Sequence, residues 1–202
     1  MQLVGMLDSP FVRRTAISLR LLGVPFEHRS LSVFSTFEQF RAINPVVKAP
    51  TLVCDDGHVL MDSTLIIDYA EALSGRSLMP ADRTERLRAL RLTGLALAAC
   101  EKTVQIAYEH NLRPADKRHP PWLDRVRGQL ASACSALEQE VVAAPLAADE
   151  KTMTQAGVST AVAWAFTQLM APDAISPADH PALAAYSAKA ERLPVFVGAP
   201  MV

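Results

Sequence analysis

The 202-residue sequence predicts a mixed α/β sheet domain followed by an all-helical bundle domain, on three observations. Short apolar runs alternate with helix-like periodicity through the first third of the chain. The stretch Gly75-Arg76-Ser77-Leu78-Met79-Pro80-Ala81-Asp82 then breaks that alternation. Beyond it only the three-and-four spacing of amphipathic helices recurs. The expected boundaries are residues 1–75 for the sheet domain, 76–83 for the linker and 84–202 for the helical domain.

The first apolar run, Leu3-Val4, reads as a strand, and Met6-Leu7-Asp8-Ser9-Pro10-Phe11-Val12-Arg13-Arg14 opens the helix after it. Ser9 falls where an N-cap belongs, and Pro10 at the first helical position, where its missing N–H costs nothing. Ile17, Leu19, Leu21 and Leu22 continue the helix, and Gly23-Val24-Pro25 ends it. Phe26 to Leu31 alternates weakly as a second strand, and the β-α-β crossover implies that the two strands are parallel. Phe34 to Ile43 is a short irregular helix cut off by Asn44-Pro45. Thr51 to Cys54 and His58 to Met61 flank an Asp55-Asp56-Gly57 turn, a hairpin signal. A helix from Ser63 toward Leu73 closes the domain with Ile66, Ile67 and Ala70. This is the thioredoxin-like order, a four-stranded mixed sheet with helices on its faces.

Three places in this half can carry chemistry. Ser9 brings a hydroxyl and the positive end of a helix to one point, which suits an anion, although a plain cap needs no more than that. Ser63 is a second candidate N-cap whose N–H and hydroxyl suit a carboxylate, with the same plain alternative. Pro50 opens a strand, where proline is tolerated. A cis Ala49–Pro50 bond would leave the Ala49 N–H and C=O exposed to a ligand, while trans is the commoner isomer.

From Arg83, the residues Leu87, Leu90, Gly94, Leu97, Val104 and Tyr108 follow the spacing of a buried stripe. Glu101 falls within it and either faces a cleft or pairs with a base, because burying it unpaired would be costly. Glu85 interleaves Arg83, Arg86, Arg88 and Arg91, so this reads as a solvated or dimer-facing surface. Pro120-Pro121-Trp122 starts a helix with Val126, Leu130, Ala133, Leu137 and Val141 on one face. Thr154 caps an apolar helix through Val158, Val162, Trp164, Phe166 and Leu169, and a last helix spans Pro181 to Arg192.

Composition narrows the function classes. A formal net charge of −1 gives no electrostatic case for nucleic acid or an anionic membrane. Cys54, Cys100 and Cys134 are odd in number and scattered, which points to no disulfide framework and to a reducing compartment. Neither a signal peptide nor a membrane-length apolar run is visible, so a soluble cytoplasmic protein is expected. Cys54 and His58 straddle a turn with Asp55 and Asp56, but two further ligands at metal spacing are missing, and no metal is expected. Phosphate-cradling glycine loops and Gly-x-Ser-x-Gly elbows are absent.

Taken together, Ser9-Pro10-Phe11 with Arg13, Asn44-Pro45 followed by Lys48-Ala49-Pro50-Thr51-Leu52, and Asp62-Ser63 with Ile66 and Tyr69 resemble the cytosolic glutathione S-transferase family. The resemblance is nearest to the bacterial branch with a Ser-Pro-Phe active-site turn, and it continues weakly through the helical half. It implies glutathione as co-substrate, with Ser9 donating a hydrogen bond to its thiolate and Phe11 in the binding surface. Ala49, before a cis Pro50, would pair with the cysteinyl residue, Asp62 and Ser63 would hold the γ-glutamyl end, and Lys48 would reach the glycyl carboxylate. Tyr108, with Glu101, would serve a small-molecule electrophile in a cleft between the domains, and a homodimer is implied.

The physical chemistry agrees. A thiol of pKa about 8.5 is only about 3 per cent ionised at pH 7. Lowering that pKa by about two units takes roughly 2.7 kcal/mol. One hydrogen bond to a charged acceptor supplies about 1.5–3 kcal/mol, and a helix terminus adds to it. In one respect the chain departs from the family, which places an aspartate three residues after the Thr154 cap where this sequence has Gly157. Losing that capping box and gaining a helical glycine implies a cost on the order of 1–2 kcal/mol. Two other functions fit the same residues: a non-catalytic ligand- or protein-binding module, and a glutathione-dependent isomerase, dehalogenase or ether-cleaving enzyme.

Overall fold

The computed structural model describes residues 1–201, which divide into two compact units. The first comprises Met1–Leu78 together with the described residues from Leu193 onward, and the second Met79–Arg192.

In the first unit, β1 (Gln2–Val4), α1 (Pro10–Leu22), β2 (Glu27–Arg29), α2 (Phe37–Ile43), β3 (Thr51–Val53), β4 (Val59–Leu60) and α3 (Ser63–Ser74) follow the expected order. The sheet runs β2-β1-β3-β4. β1 pairs β2 in parallel, while the β1/β3 and β3/β4 pairs are antiparallel, so the sheet is mixed and thioredoxin-like. Leu3, Val4 and Leu52 in the sheet and Val12, Ile17, Leu19 and Ile66 on the helices have no exposed surface, and this is the core that fixes α1 and α3. The register matters for function. Val4 faces Thr51 and Leu52 faces Leu60, so the chain leaves β1, enters β3 and leaves β4 at one end of the sheet.

The expected boundary before the helical domain left the C-terminal segment in the wrong unit. The short helix α8 (Pro194–Val197) packs with the sheet domain, because its Phe196 is fully buried beneath the Arg13 guanidinium, 5.6 Å from the ring centroid. Arg13 Nε donates to the Ala199 carbonyl at 2.7 Å, and Arg20 Nη2 to that of Gly198 at 3.0 Å.

The second unit is built from α4 (Arg83–Asn111), α5 (Pro120–Ala143), α6 (Gln155–Met170) and α7 (Pro181–Ala190). The face expected on α5 is the buried one, and α6 is buried nearly all round. On α4 the expected stripe is wrong. Leu87, Leu90 and Tyr108 are exposed, and the packed face is Ala89, Leu92, Ala96, Ala99, Cys100, Thr103, Ile106 and Ala107. Small side chains let α4 approach its neighbours closely, so shape rather than side-chain hydrophobicity selects the face. Glu101 consequently points outward, accepting from Lys102 Nζ at 3.0 Å and Gln105 Nε2 at 2.9 Å, and incurs no burial cost.

At Gly157 the missing aspartate has a structural counterpart. Thr154 Oγ1 still accepts from the Gly157 amide at 3.4 Å. A Cβ at Gly157 would lie only 2.5 Å from the Tyr186 hydroxyl, which donates to the Ala147 carbonyl at 3.2 Å. The space an aspartate would fill is used by a tyrosine from α7. Among the described residues no helix is long and apolar enough to cross a membrane.

Candidate functional site

Ser9 is the N-cap of α1, in extended backbone conformation, with Pro10 directly inside the helix. Its amide donates to the Met6 carbonyl at 3.2 Å, and its Oγ accepts from the Val12 amide at a long 3.5 Å. A hydroxyl has one proton and two lone pairs, so a cap that uses a lone pair leaves the proton to be donated to a ligand. Proline brings no N–H to the first turn, the Val12 and Arg13 amides are taken by Ser9, and the Phe11 amide there, at the positive end of the helix dipole, favours negative charge. Phe11, half-buried, follows in the same turn.

The loop between α2 and β3 is held by Asn44, which is 4% exposed. Its Nδ2 donates to Thr51 Oγ1 at 2.8 Å, and its Oδ1 accepts from the Val46 amide at 3.0 Å. Thr51 Oγ1 in turn donates to the Lys48 carbonyl at 2.7 Å. Val47 adopts φ 52°, an unfavourable region for a β-branched residue, of the kind that costs about 1–3 kcal/mol and persists only where surroundings impose it. The Ala49–Pro50 bond is cis, as is Met61–Asp62. Ala49 is half-exposed, Lys48 exposed and Pro50 buried.

Gly5 joins this loop to α1. A Cβ there would come within 2.6 Å of Val12 Cγ2 and 3.2 Å of Ala49 Cβ, and its φ of 139° also favours glycine. Its carbonyl accepts from His28 Nε2 at 2.7 Å.

At the start of α3 the expected cap shifts by one residue. Asp62 is the N-cap, its Oδ1 accepting from the amides of Thr64 at 2.9 Å and Leu65 at 3.4 Å. Ser63 is the first helical residue, 3% exposed, and its Oγ accepts from Arg14 Nη1 at 2.8 Å. Asp62 wins the cap because a carboxylate can serve two amides at once, while Ser63 is taken by a buried guanidinium. Sequence reasoning missed Arg14 although a signal was present. Pro10, Arg14, Ile17 and Leu21 share the four-and-three spacing of one helix face, so a charge interrupts an apolar stripe.

Ser9, Lys48, Ala49, Pro50, Asp62 and Ser63 thus all follow or precede strand ends at the same end of the sheet. Cys54 lies beyond the other end, since Val53 pairs with Gln2. Its thiol is pushed up mainly by burial, the hydrogen bond from Tyr69 pulling the other way, and the pair borders a pocket of about 500 Å³. Asp55 pairs with the Met1 ammonium at 2.5 Å and Asp56 with His58 Nδ1 at 3.1 Å. Cys134 is raised to about 12 by burial, and all three cysteines are buried free thiols. In the second unit Tyr108 is 44% exposed and Glu101 ion-paired with Lys102.

The thioredoxin-like sheet thus brings the cis-proline loop and two helix N-termini to one end of its strands, and this defines the class of fold. Residues 3–77 match the family model described as glutathione S-transferase, N-terminal domain. Two solved structures of a glutathione transferase family member from Pseudomonas fluorescens Pf-5 are similar along nearly the whole length. One, with bound S-(propanoic acid)-glutathione, shares 31% identity over 98% of each chain with a TM-score of 0.82. The other, with bound glutathione, shares 30% identity over 98% of this chain and 97% of that one, with a TM-score of 0.85. The uncharacterized GST-like protein YibF of Escherichia coli (strain K12) is 28% identical over 85% of each sequence. The chain belongs to the glutathione S-transferase family.

Proposed function

We propose that the protein is a glutathione transferase of the bacterial Ser-Pro-Phe type, which binds glutathione in its first unit and activates the thiol through Ser9. The observation that carries this reading is the Ser9 cap: a half-buried hydroxyl with a donatable proton at the N-terminus of α1. Glutathione bound to a relative 30% identical over almost the whole chain supports the choice of thiol. In this reading the Ala49 backbone, before its cis proline, pairs with the cysteinyl residue. Phe11 and Pro50 border the thiol, Lys48 meets the glycyl carboxylate, and Asp62 and Ser63 take the γ-glutamyl end. Asp62 Oδ1 makes both cap bonds, which leaves Oδ2 for an ammonium group.

The thiolate then attacks an electrophilic carbon of an apolar co-substrate, with Tyr108 the side chain of α4 offered to it and Glu101 nearby on that helix. Buried cysteine thiols fit a reducing, cytoplasmic setting and leave Ser9 rather than a cysteine to deal with the thiol. Exposed Leu65 in one unit, and Leu87 and Leu90 in the other, provide apolar surface for a second copy.

The test is an ultraviolet titration of thiolate absorbance for glutathione bound to wild type and to Ser9→Ala. The wild type should hold the bound thiol well below its free pKa, and Ser9→Ala should return most of the shift. Binding without a lowered thiol pKa assigns the chain to the binding-only class, and absence of binding removes glutathione from the reading altogether.

A further inference from the structure

Thr51 is the first residue of β3 and has no exposed surface. Its neighbours leave its hydroxyl a single arrangement. The Val46 amide can only donate, so it fixes Asn44 Oδ1 on its own side at 3.0 Å and turns Nδ2 toward Thr51 Oγ1 at 2.8 Å. Thr51 Oγ1 must therefore accept from Asn44, and its one proton goes to the Lys48 carbonyl at 2.7 Å. That carbonyl belongs to the same planar unit as the Ala49 amide. The Lys48–Ala49 bond is trans, so its C=O and N–H point to opposite sides. Holding the carbonyl on a buried hydroxyl turns the Ala49 N–H the other way, away from Thr51. Among the described residues that amide has no hydrogen-bond partner, and Ala49 is half-exposed. A donor fixed outward in this manner is ready for a ligand carbonyl and has little freedom to lose on binding.

We infer that Thr51 is a positioning residue for the thiol-bearing ligand: it sets the plane of the Lys48–Ala49 peptide, and Asn44 fixes the direction of its proton. The inference rests on the glutathione reading above, in which the Ala49 backbone pairs with the cysteinyl residue. Fully buried, Thr51 touches no ligand; it decides whether the Ala49 N–H faces the cysteinyl carbonyl. The hydroxyl matters here rather than the shape. Valine would fill the same space and suit a strand equally well, yet it would leave the Lys48 carbonyl without this donor. Ser9 differs in turning its own hydroxyl to the thiol, so affinity and thiol acidity depend on separate residues.

The experiment measures glutathione and γ-glutamyl-cysteine, which lacks the glycyl residue, by calorimetry on wild type, Thr51→Val, Thr51→Ser and Asn44→Asp. Circular dichroism confirms folding. Asn44→Asp keeps the acceptor for the Val46 amide but draws the Thr51 proton to its own carboxylate, so it keeps the test open if Thr51→Val fails to fold. Thr51→Val and Asn44→Asp should each weaken both thiols by the same factor, about three- to tenfold, as for the loss of one hydrogen bond. Thr51→Ser keeps the hydroxyl and should stay within about twofold of wild type. At equal saturation with glutathione, hydrogen exchange followed by NMR should be slowed at the Ala49 amide in wild type and Thr51→Ser but not in Thr51→Val. Any lowering of the bound thiol's pKa in wild type should persist in Thr51→Val, since Ser9 is untouched. Wild-type affinity in Thr51→Val, or equal protection of Ala49 in both proteins, would overturn the inference. So would a loss confined to glutathione, which would place the effect at Lys48 and the glycyl carboxylate, and so would an equal loss in Thr51→Ser, which would make shape the cause. Wild type binding neither thiol would overturn the glutathione reading and this assignment together, an outcome distinct from the others.

Discussion

Replacing Gly157 with alanine should destabilise the helical unit, although alanine is the better helix former. Considered alone, the substitution gains up to about 1 kcal/mol of helix propensity, and less near the N-terminus, where Gly157 is the third residue of α6. The added Cβ, however, would stand 2.5 Å from the Tyr186 hydroxyl and 3.3 Å from Met153 Cγ. Overpacking of this kind costs about 1–3 kcal/mol. Displacing the hydroxyl also breaks its bond to the Ala147 carbonyl, with a cost of about 1–3 kcal/mol if a buried partner is left unsatisfied. The net expectation is a loss of about 2 kcal/mol, or roughly 4–8 °C in Tm for a chain of this size. The decisive comparison is the Tyr186→Phe background. There the oxygen is gone, and Gly157→Ala should become neutral or stabilising by up to about 1 kcal/mol. Urea denaturation of the four proteins, followed by far-ultraviolet circular dichroism, reads both effects. Gly157→Asp, which rebuilds the family's capping box, should also destabilise, because its gain of about 1 kcal/mol requires the volume that Tyr186 occupies. Equal effects of Gly157→Ala in both backgrounds would refute the steric coupling.

Gly5→Ala should lower stability by about 2–4 kcal/mol, from the contact with Val12 and the φ of 139°. It should also raise the KM for glutathione more than it lowers kcat, since the new methyl presses on Ala49; a pure stability loss with unchanged KM would count against that coupling. Glu140 is held below the ordinary carboxylate range, first by its bond with Arg91 at 2.9 Å, against an opposing effect of burial, and then by Arg88 at 3.2 Å. A lowered folded-state pKa means that this stabilisation is complete above the unfolded value, about 4.3, and is lost as pH falls from there through the folded value. Glu140→Gln should therefore cost about 0.5–1 kcal/mol near pH 7 and flatten the acid limb of a urea-midpoint profile below about pH 5. A parallel offset at every pH would show that the pair's ionisation is not what matters.

The first unit was legible because each of its elements carries a local reason that tertiary packing has no cause to override. Ser9-Pro10 starts α1, Gly23 ends it in the left-handed conformation, and Asp56-Gly57 turns the hairpin, all as local chemistry demands. The α4 face was not legible, because many of its packed residues are alanines, Ala89, Ala96, Ala99 and Ala107, whose contribution lies in how closely they let helices approach. Periodicity weighted by hydrophobicity therefore selected Leu87 and Leu90, which the fold leaves exposed.

Ser63 shows a different limit, one of long-range pairing. Sequence places a serine and an aspartate at the start of a helix and permits either as its cap. What decides between them is Arg14, 49 positions earlier, brought there because α1 and α3 pack against each other. With the Arg14 guanidinium bonded to Ser63, the cap falls to Asp62, which makes it with one oxygen. The division leaves Ser63 a donor and Asp62 an acceptor on consecutive residues. In the proposed glutathione reading the amino-acid end of the γ-glutamyl residue meets that polarity, and swapping the two side chains should weaken glutathione binding although composition and net charge do not change.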